Sequence, residues 1–157
     1  MPKKFTAALV PFSLLVLRVV AGSDFIVRGL PKIEHYQNSW RLAAGLHLPA
    51  PMVFGWIPTI MEPLGGALLI LGLATRWVGG YFMIEMFITG IISRLVLRGV
   101  PFVISGNTPG TGFDIDSMLF AGSFVLLVFG AGAFALDRLL TRRRSVSWSA
   151  AGAAAPA

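Results

Sequence analysis

Four long apolar runs, at about residues 5–27, 52–74, 78–97 and 117–136, are separated by stretches rich in charge, glycine and proline. Each is long enough to cross a hydrocarbon core of roughly 30 Å as a helix. The segment 33–51 is too polar to span. Within it Ile33, Tyr36, Trp40 and Ala43 or Ala44 recur every three to four residues, with Glu34, Gln37, Asn38 and Arg41 between them. That spacing predicts a short amphipathic helix lying at the membrane interface, with Tyr36 and Trp40 at headgroup level. Residues 45–51, with a glycine and two prolines, end it and lead into the second span. Pro58 and Pro63 inside that span predict a bend that frees carbonyls near Glu62. The stretch 99–115 carries turn residues from Ser105 to Gly112 and predicts a long loop ordered by a site or a partner.

The fold expected is all-α, an integral membrane four-helix bundle with an interfacial helix between spans 1 and 2. Residues 1–144 form its single transmembrane domain, and 145–157 a small-residue tail expected to be mobile. Lys3 and Lys4 precede the first run as they would in a signal peptide. Arg18 interrupts the run and 20–22 make a poor cleavage site, so the run reads as a retained helix. Four spans bring both termini to one side, with Lys3, Lys4, Arg76, Arg138 and Arg142, Arg143 and Arg144. This bias places both termini in the cytoplasm.

Composition agrees: mean hydropathy is +0.77, and only 13% of residues are charged, far below a soluble domain. The net charge of +6 lies at the ends of apolar runs and points to lipid headgroups rather than to nucleic acid. Without cysteine, disulfides, thiolate metal sites and thiol redox chemistry are excluded.

Ionisable residues inside the runs are the candidates for function, because a charge at a helix centre costs at least about 2.5 kcal/mol. Arg18 and Glu62 are expected to meet as a buried ion pair, or to line a cavity that handles protons or anions. Asp24, Arg28, Lys32 and Arg94, with Arg98, suggest either a pocket for an oxyanion on the other face or local ion pairing among themselves. Glu85 is a further ionisable group in the third span. Asp114 and Asp116 close the long loop and suit a helix cap; with Asn107 and Thr108 they supply too few ligands for a cation site. Gly65, Gly66 and Gly72 offer a small-residue face for helix packing. His35 and His47 lie outside the spans, which argues against bis-histidine haem and against a metal site. No phosphate loop, dinucleotide fingerprint, nucleophile triad or zinc motif occurs.

Leu17-Arg18, the Gly29-Leu30-Pro31-Lys32 step, the run from Glu62-Pro63-Leu64-Gly65-Gly66 to Thr75-Arg76, and Gly130-Ala131-Gly132 with Leu136-Asp137-Arg138 together resemble the DoxX family, over about residues 14–140. Ala131 stands where the family often has proline, and Ala135-Leu136 replaces its usual serine. The resemblance implies a small four-helix protein of the prokaryotic cytoplasmic (inner) membrane. It further implies a membrane subunit of a quinone-linked oxidoreductase complex. Such a subunit would anchor a redox protein or other membrane subunits and shape a quinone- or substrate-facing cavity. It would bind quinone and lipid and no covalent cofactor, since no residue here carries electrons. Two other readings stay open: a structural or assembly subunit of a large respiratory or photosynthetic complex, and a homo-oligomeric carrier of a small molecule or ion.

Overall fold

The structure, a computed structural model, describes residues 3–102 and 114–137. All regular elements among them are helical: α1 (Lys3–Glu34), α2 (Gln37–Gly45), α3 (Pro51–Leu71), α4 (Thr75–Met86), its π-helical continuation (Phe87–Leu97), and α5 (Asp114–Phe129). The turn-rich part of the 99–115 loop, Arg138, the Arg142–Arg144 run and the 145–157 tail lie outside the described residues.

Three stretches are long and apolar enough to cross a membrane: Leu9–Glu34, Pro51–Leu71 and Thr75–Val96. Among the described residues α5 holds 16, about 24 Å of helix. It starts and stops earlier than its apolar run predicts. Its first turn is drawn toward arginines by Asp116, and its last turn ends at Gly130. There a left-handed φ of 73° and an N–H donated to the Leu126 carbonyl at 2.9 Å close the helix. The first helix departs the other way. At 32 residues, about 48 Å, α1 runs on past its apolar run and carries Arg28 and Lys32 on helical backbone.

The chain reverses between α3 and α4 through a Schellman turn. Gly72, at φ 71°, donates its N–H to the Leu69 carbonyl, and Leu73 donates to Leu68. Gly72 is thus the cap of α3, and the Arg18 guanidinium occupies the space a side chain there would take. Helix packing depends on glycine elsewhere. A Cβ on Gly66 would lie 2.5 Å from the Gly22 carbonyl oxygen, so these two glycines let α1 and α3 touch backbone to backbone. Gly65 faces Phe82 of α4, which stacks on Phe25 of α1 with ring centroids 3.5 Å apart. These rings centre a core that includes Leu14, Ala21, Leu69, Val78, Met86, Leu119 and Leu126.

α2 forms where its periodicity predicts a helix. It packs along the first half of α3: Gly55 receives the Trp40 backbone, and Tyr36 stacks on Trp56. α3 continues unbroken through Pro58 and Pro63. Large apolar side chains cover the outside of the molecule, among them Phe12, Val20, Val27, Val53, Ile60 and Phe129, as expected of surfaces solvated by lipid rather than water.

Candidate functional site

The expected Arg18–Glu62 contact is not made. Glu62 packs against Gly29, and Arg18 precedes Gly29 on α1 by about three turns, roughly 16 Å. Sequence placed both residues near the middle of their apolar runs, but α1 and α3 overlap with an offset that only their glycine contacts fix.

Arg18, fully buried, belongs to the first end of the molecule, where α3 turns into α4. Its Nη2 donates to the Phe134 carbonyl at 2.7 Å, and Asp137 supplies nearby negative charge. Asp137 also accepts the Thr75 N–H at 3.4 Å, at the start of α4, and donates its own N–H to the Gly72 carbonyl. A carboxylate suits a helix N-terminus, whose free N–H groups carry partial positive charge. The Leu136-Asp137 motif therefore ties the chain after α5 to the α3–α4 turn, with Arg18 as the buried counter-charge.

At the other end, Asp116 accepts from two arginines: Arg28 of α1 at 3.4 Å and Arg94 of the π segment at 2.8 Å. Arg28 also pairs with Asp24, one turn earlier, at 2.6 Å. Gly90 makes room for this arrangement, since a Cβ there would lie 2.6 Å from that of Asp116. Asp116, in the first turn of α5, thus joins three helices through its side chain; Asp114 begins the same turn, its N–H donated to the Phe102 carbonyl. Of the cations weighed for an oxyanion pocket, Arg28, Lys32 and Arg94 each meet a carboxylate.

Lys32 pairs with Glu62 at 2.5 Å; the Glu62 side chain is 1% exposed and that of Lys32 33%. Gly29 permits this pairing, because a Cβ there would sit 2.8 Å from that of Glu62 and closer still to the Pro63 ring. Gly29-Leu30-Pro31-Lys32 and Glu62-Pro63, distant in sequence, therefore form one structural unit. On its far side lies Glu85 of α4, buried beside Glu62, with Tyr81 one turn away. Neither Glu85 oxygen, nor the second Glu62 oxygen, reaches a partner in hydrogen-bond geometry among the described residues.

Glu85 also lines a partly open cavity of about 270 Å³ bounded by α2, α3, α4 and the π segment. Its walls are Leu42, Ala43, Leu46, Leu48, Phe54, Ile57, Pro58, Ile84 and Ile88, with Tyr81, Ser39 and Thr89 as its other polar residues. Thr89 donates its hydroxyl to the Glu85 carbonyl at 2.8 Å, at the junction where α-helix gives way to π-helix. An interrupted helical ladder of this kind recurs at functional sites. The Thr59 hydroxyl donates to the Gly55 carbonyl at 2.9 Å and meets Ser39 Oγ at 3.3 Å, which fastens the cavity wall formed by α2. This volume is near the lower end of small-molecule pockets, which start at roughly 300 Å³, and an apolar lining with few polar groups is their usual character. Glu85 and Tyr81 carry the cavity's chemistry. The available signal was the spacing of Tyr81, Glu85 and Thr89 along one helix face, with Glu85 midway along an apolar run as Glu62 is. No group of histidine, cysteine, aspartate and glutamate suited to a metal occurs among the described residues.

These features define a small helical membrane protein with a buried ion network and an acid-floored apolar cavity. The chain belongs to the DoxX family, whose model matches residues 13–95, a stretch that contains Arg18, Lys32, Glu62 and Glu85. It is 32% identical over 123 residues to "Putative oxidoreductase CatD" of Bacillus subtilis, covering 78% of this chain and 83% of that one. It is 29% identical to "Inner membrane protein YphA" of Escherichia coli, over 82% of this chain and 90% of the relative. A membrane protein of Mycobacterium tuberculosis is 27% identical over 85% of this chain and 84% of its own length. No solved structure matches.

Proposed function

We propose that the protein is a membrane subunit of a quinone-linked oxidoreductase complex, binding the quinone ring in the cavity floored by Glu85. One observation carries the reading: an apolar cavity that ends on a buried carboxyl group beside the Lys32–Glu62 pair. A quinone needs an apolar slot for its ring and an ionisable group at its carbonyl oxygen, and both are present. The name of the relative, "Putative oxidoreductase CatD", points the same way. The sequence has no cysteine and only two histidines, so electrons come from a redox group on a partner. That partner docks on the protein, which sits as a four-helix bundle in the cytoplasmic membrane with both termini inside.

The test is to solubilise native membranes mildly, isolate the chain and identify by mass spectrometry what accompanies it. Quinone reduction is then assayed in membranes with and without the chain. A stoichiometric flavin- or haem-bearing partner, and quinone reduction that needs this chain, are the expected results. A chain that emerges alone, with quinone reduction unaffected by its loss, contradicts the proposal and favours the oligomeric carrier.

A further inference from the structure

Glu85 takes no part in the Lys32–Glu62 ion pair that ties α1 to α3. Glu62 already has its counter-ion in Lys32, so a structural ion pair is complete without Glu85. Glu85 adds a second carboxyl group to the same buried place, 7% exposed. Neither of its oxygens makes a well-formed hydrogen bond among the described residues, Glu62 and Tyr81 lie within interaction range of it, and its side chain lines the cavity. The groups facing it are Glu62 from α3, Lys32 from α1 and Tyr81 from its own helix. Arg28 and Arg94, the nearest other cations on α1 and the π segment, are engaged by Asp116. One ammonium thus serves two carboxyl groups in an apolar interior. Ionising both would leave a negative charge without compensation, and two carboxylates that share a site do not both ionise readily.

Resting on the quinone reading above, we infer that Glu85 is a neutral carboxyl group and presents its O–H into the cavity as a hydrogen-bond donor, leaving Lys32 to balance Glu62. The ligand it suits is a neutral, apolar ring compound with a carbonyl oxygen at one edge. A carboxylate would repel that oxygen; a protonated carboxyl group binds it and stands ready to give it a proton. Lys32 balances the Glu62 charge, and Tyr81 lines the same cavity.

Infrared difference spectroscopy on the purified full chain in lipid nanodiscs tests this, with decylubiquinone as the probe. The carbonyl-stretch band of a protonated carboxylic acid is expected at neutral pH in the wild type and in Glu85→Asp, but not in Glu85→Gln. Decylubiquinone is expected to move the band in the wild type, to bind Glu85→Gln with similar affinity because the amide N–H still donates, and to bind Glu85→Leu, which has no donor, at least tenfold more weakly. A wild-type protein that binds decylubiquinone saturably but shows no such band overturns the neutral Glu85 and leaves the quinone reading intact. So does a band of equal size in Glu85→Gln. A band present in the wild type, with no decylubiquinone bound, upholds the neutral Glu85 and overturns the quinone reading. The wild-type spectrum needs no variant, so a misfolded substitution does not remove the test.

Discussion

Lys32 and Glu62 show how unequal the two halves of one ion pair are. Glu62 is enclosed, whereas Lys32 keeps a third of its side chain exposed. Removing the lysine leaves a carboxylate stranded in an apolar interior; neutralising the glutamate leaves an ammonium with some access to its surroundings. Lys32→Met is therefore expected to cost about 3 kcal/mol, the low end for a broken buried pair because one partner is partly exposed. Glu62→Gln, which keeps the shape, is expected to cost about 1 kcal/mol. Thermal unfolding of both variants in the same detergent checks the order, and a larger loss for Glu62→Gln would contradict it. That both ends of the pair matter was legible in the sequence, since each charge interrupts or abuts apolar residues. That they belong to each other was not. Charge at depth demands a partner without naming it, and Arg18 was the partner expected for Glu62 until the register of α1 on α3 was known.

At the scale of helices, glycine sets that register. Gly22 and Gly66 face each other so closely that neither tolerates a Cβ, whereas a Cβ on Gly45, at the end of α2, would meet nothing within 4 Å. Gly66→Ala is expected to destabilise by about 1–3 kcal/mol through forced separation of α1 and α3. Gly45→Ala is expected to be neutral, or stabilising by up to about 1 kcal/mol through helix propensity. Equal effects in parallel unfolding measurements would refute the close approach. Asp116 is the corresponding fastening at the second end. Asp116→Ala is expected to cost about 2–3 kcal/mol, since it releases both Arg28 and Arg94, and to raise amide hydrogen exchange in the π segment and the first turn of α5. Unchanged exchange there would show that the arginines do not depend on it. The helices themselves, including α2, were readable from hydrophobic spacing. Their ends were read less well. The π-helical stretch after Met86 has no periodicity signal of its own, and α5 stops at Gly130 although apolar residues continue beyond it.

For the whole molecule, many large apolar side chains on the outside and charges buried within an otherwise apolar core depart from the usual arrangement of a soluble protein. Arg18, Glu62, Glu85 and Asp116 lie within. Lipid imposes the first feature; the second marks where the protein does something other than span. The cavity is where the two meet, since its apolar walls close over a carboxyl group. Its existence was not legible in the sequence, because it forms only when α2 folds back along α3 beside the Tyr81–Thr89 face of α4 and the π segment. The most direct test of the account is equilibrium binding of decylubiquinone to the purified chain in nanodiscs, with Ile57→Trp, a substitution that fills the cavity, measured alongside. The account predicts saturable binding at one site per chain in the wild type, weakened at least tenfold by Ile57→Trp. No saturable binding, or equal affinity in the two proteins, would contradict it.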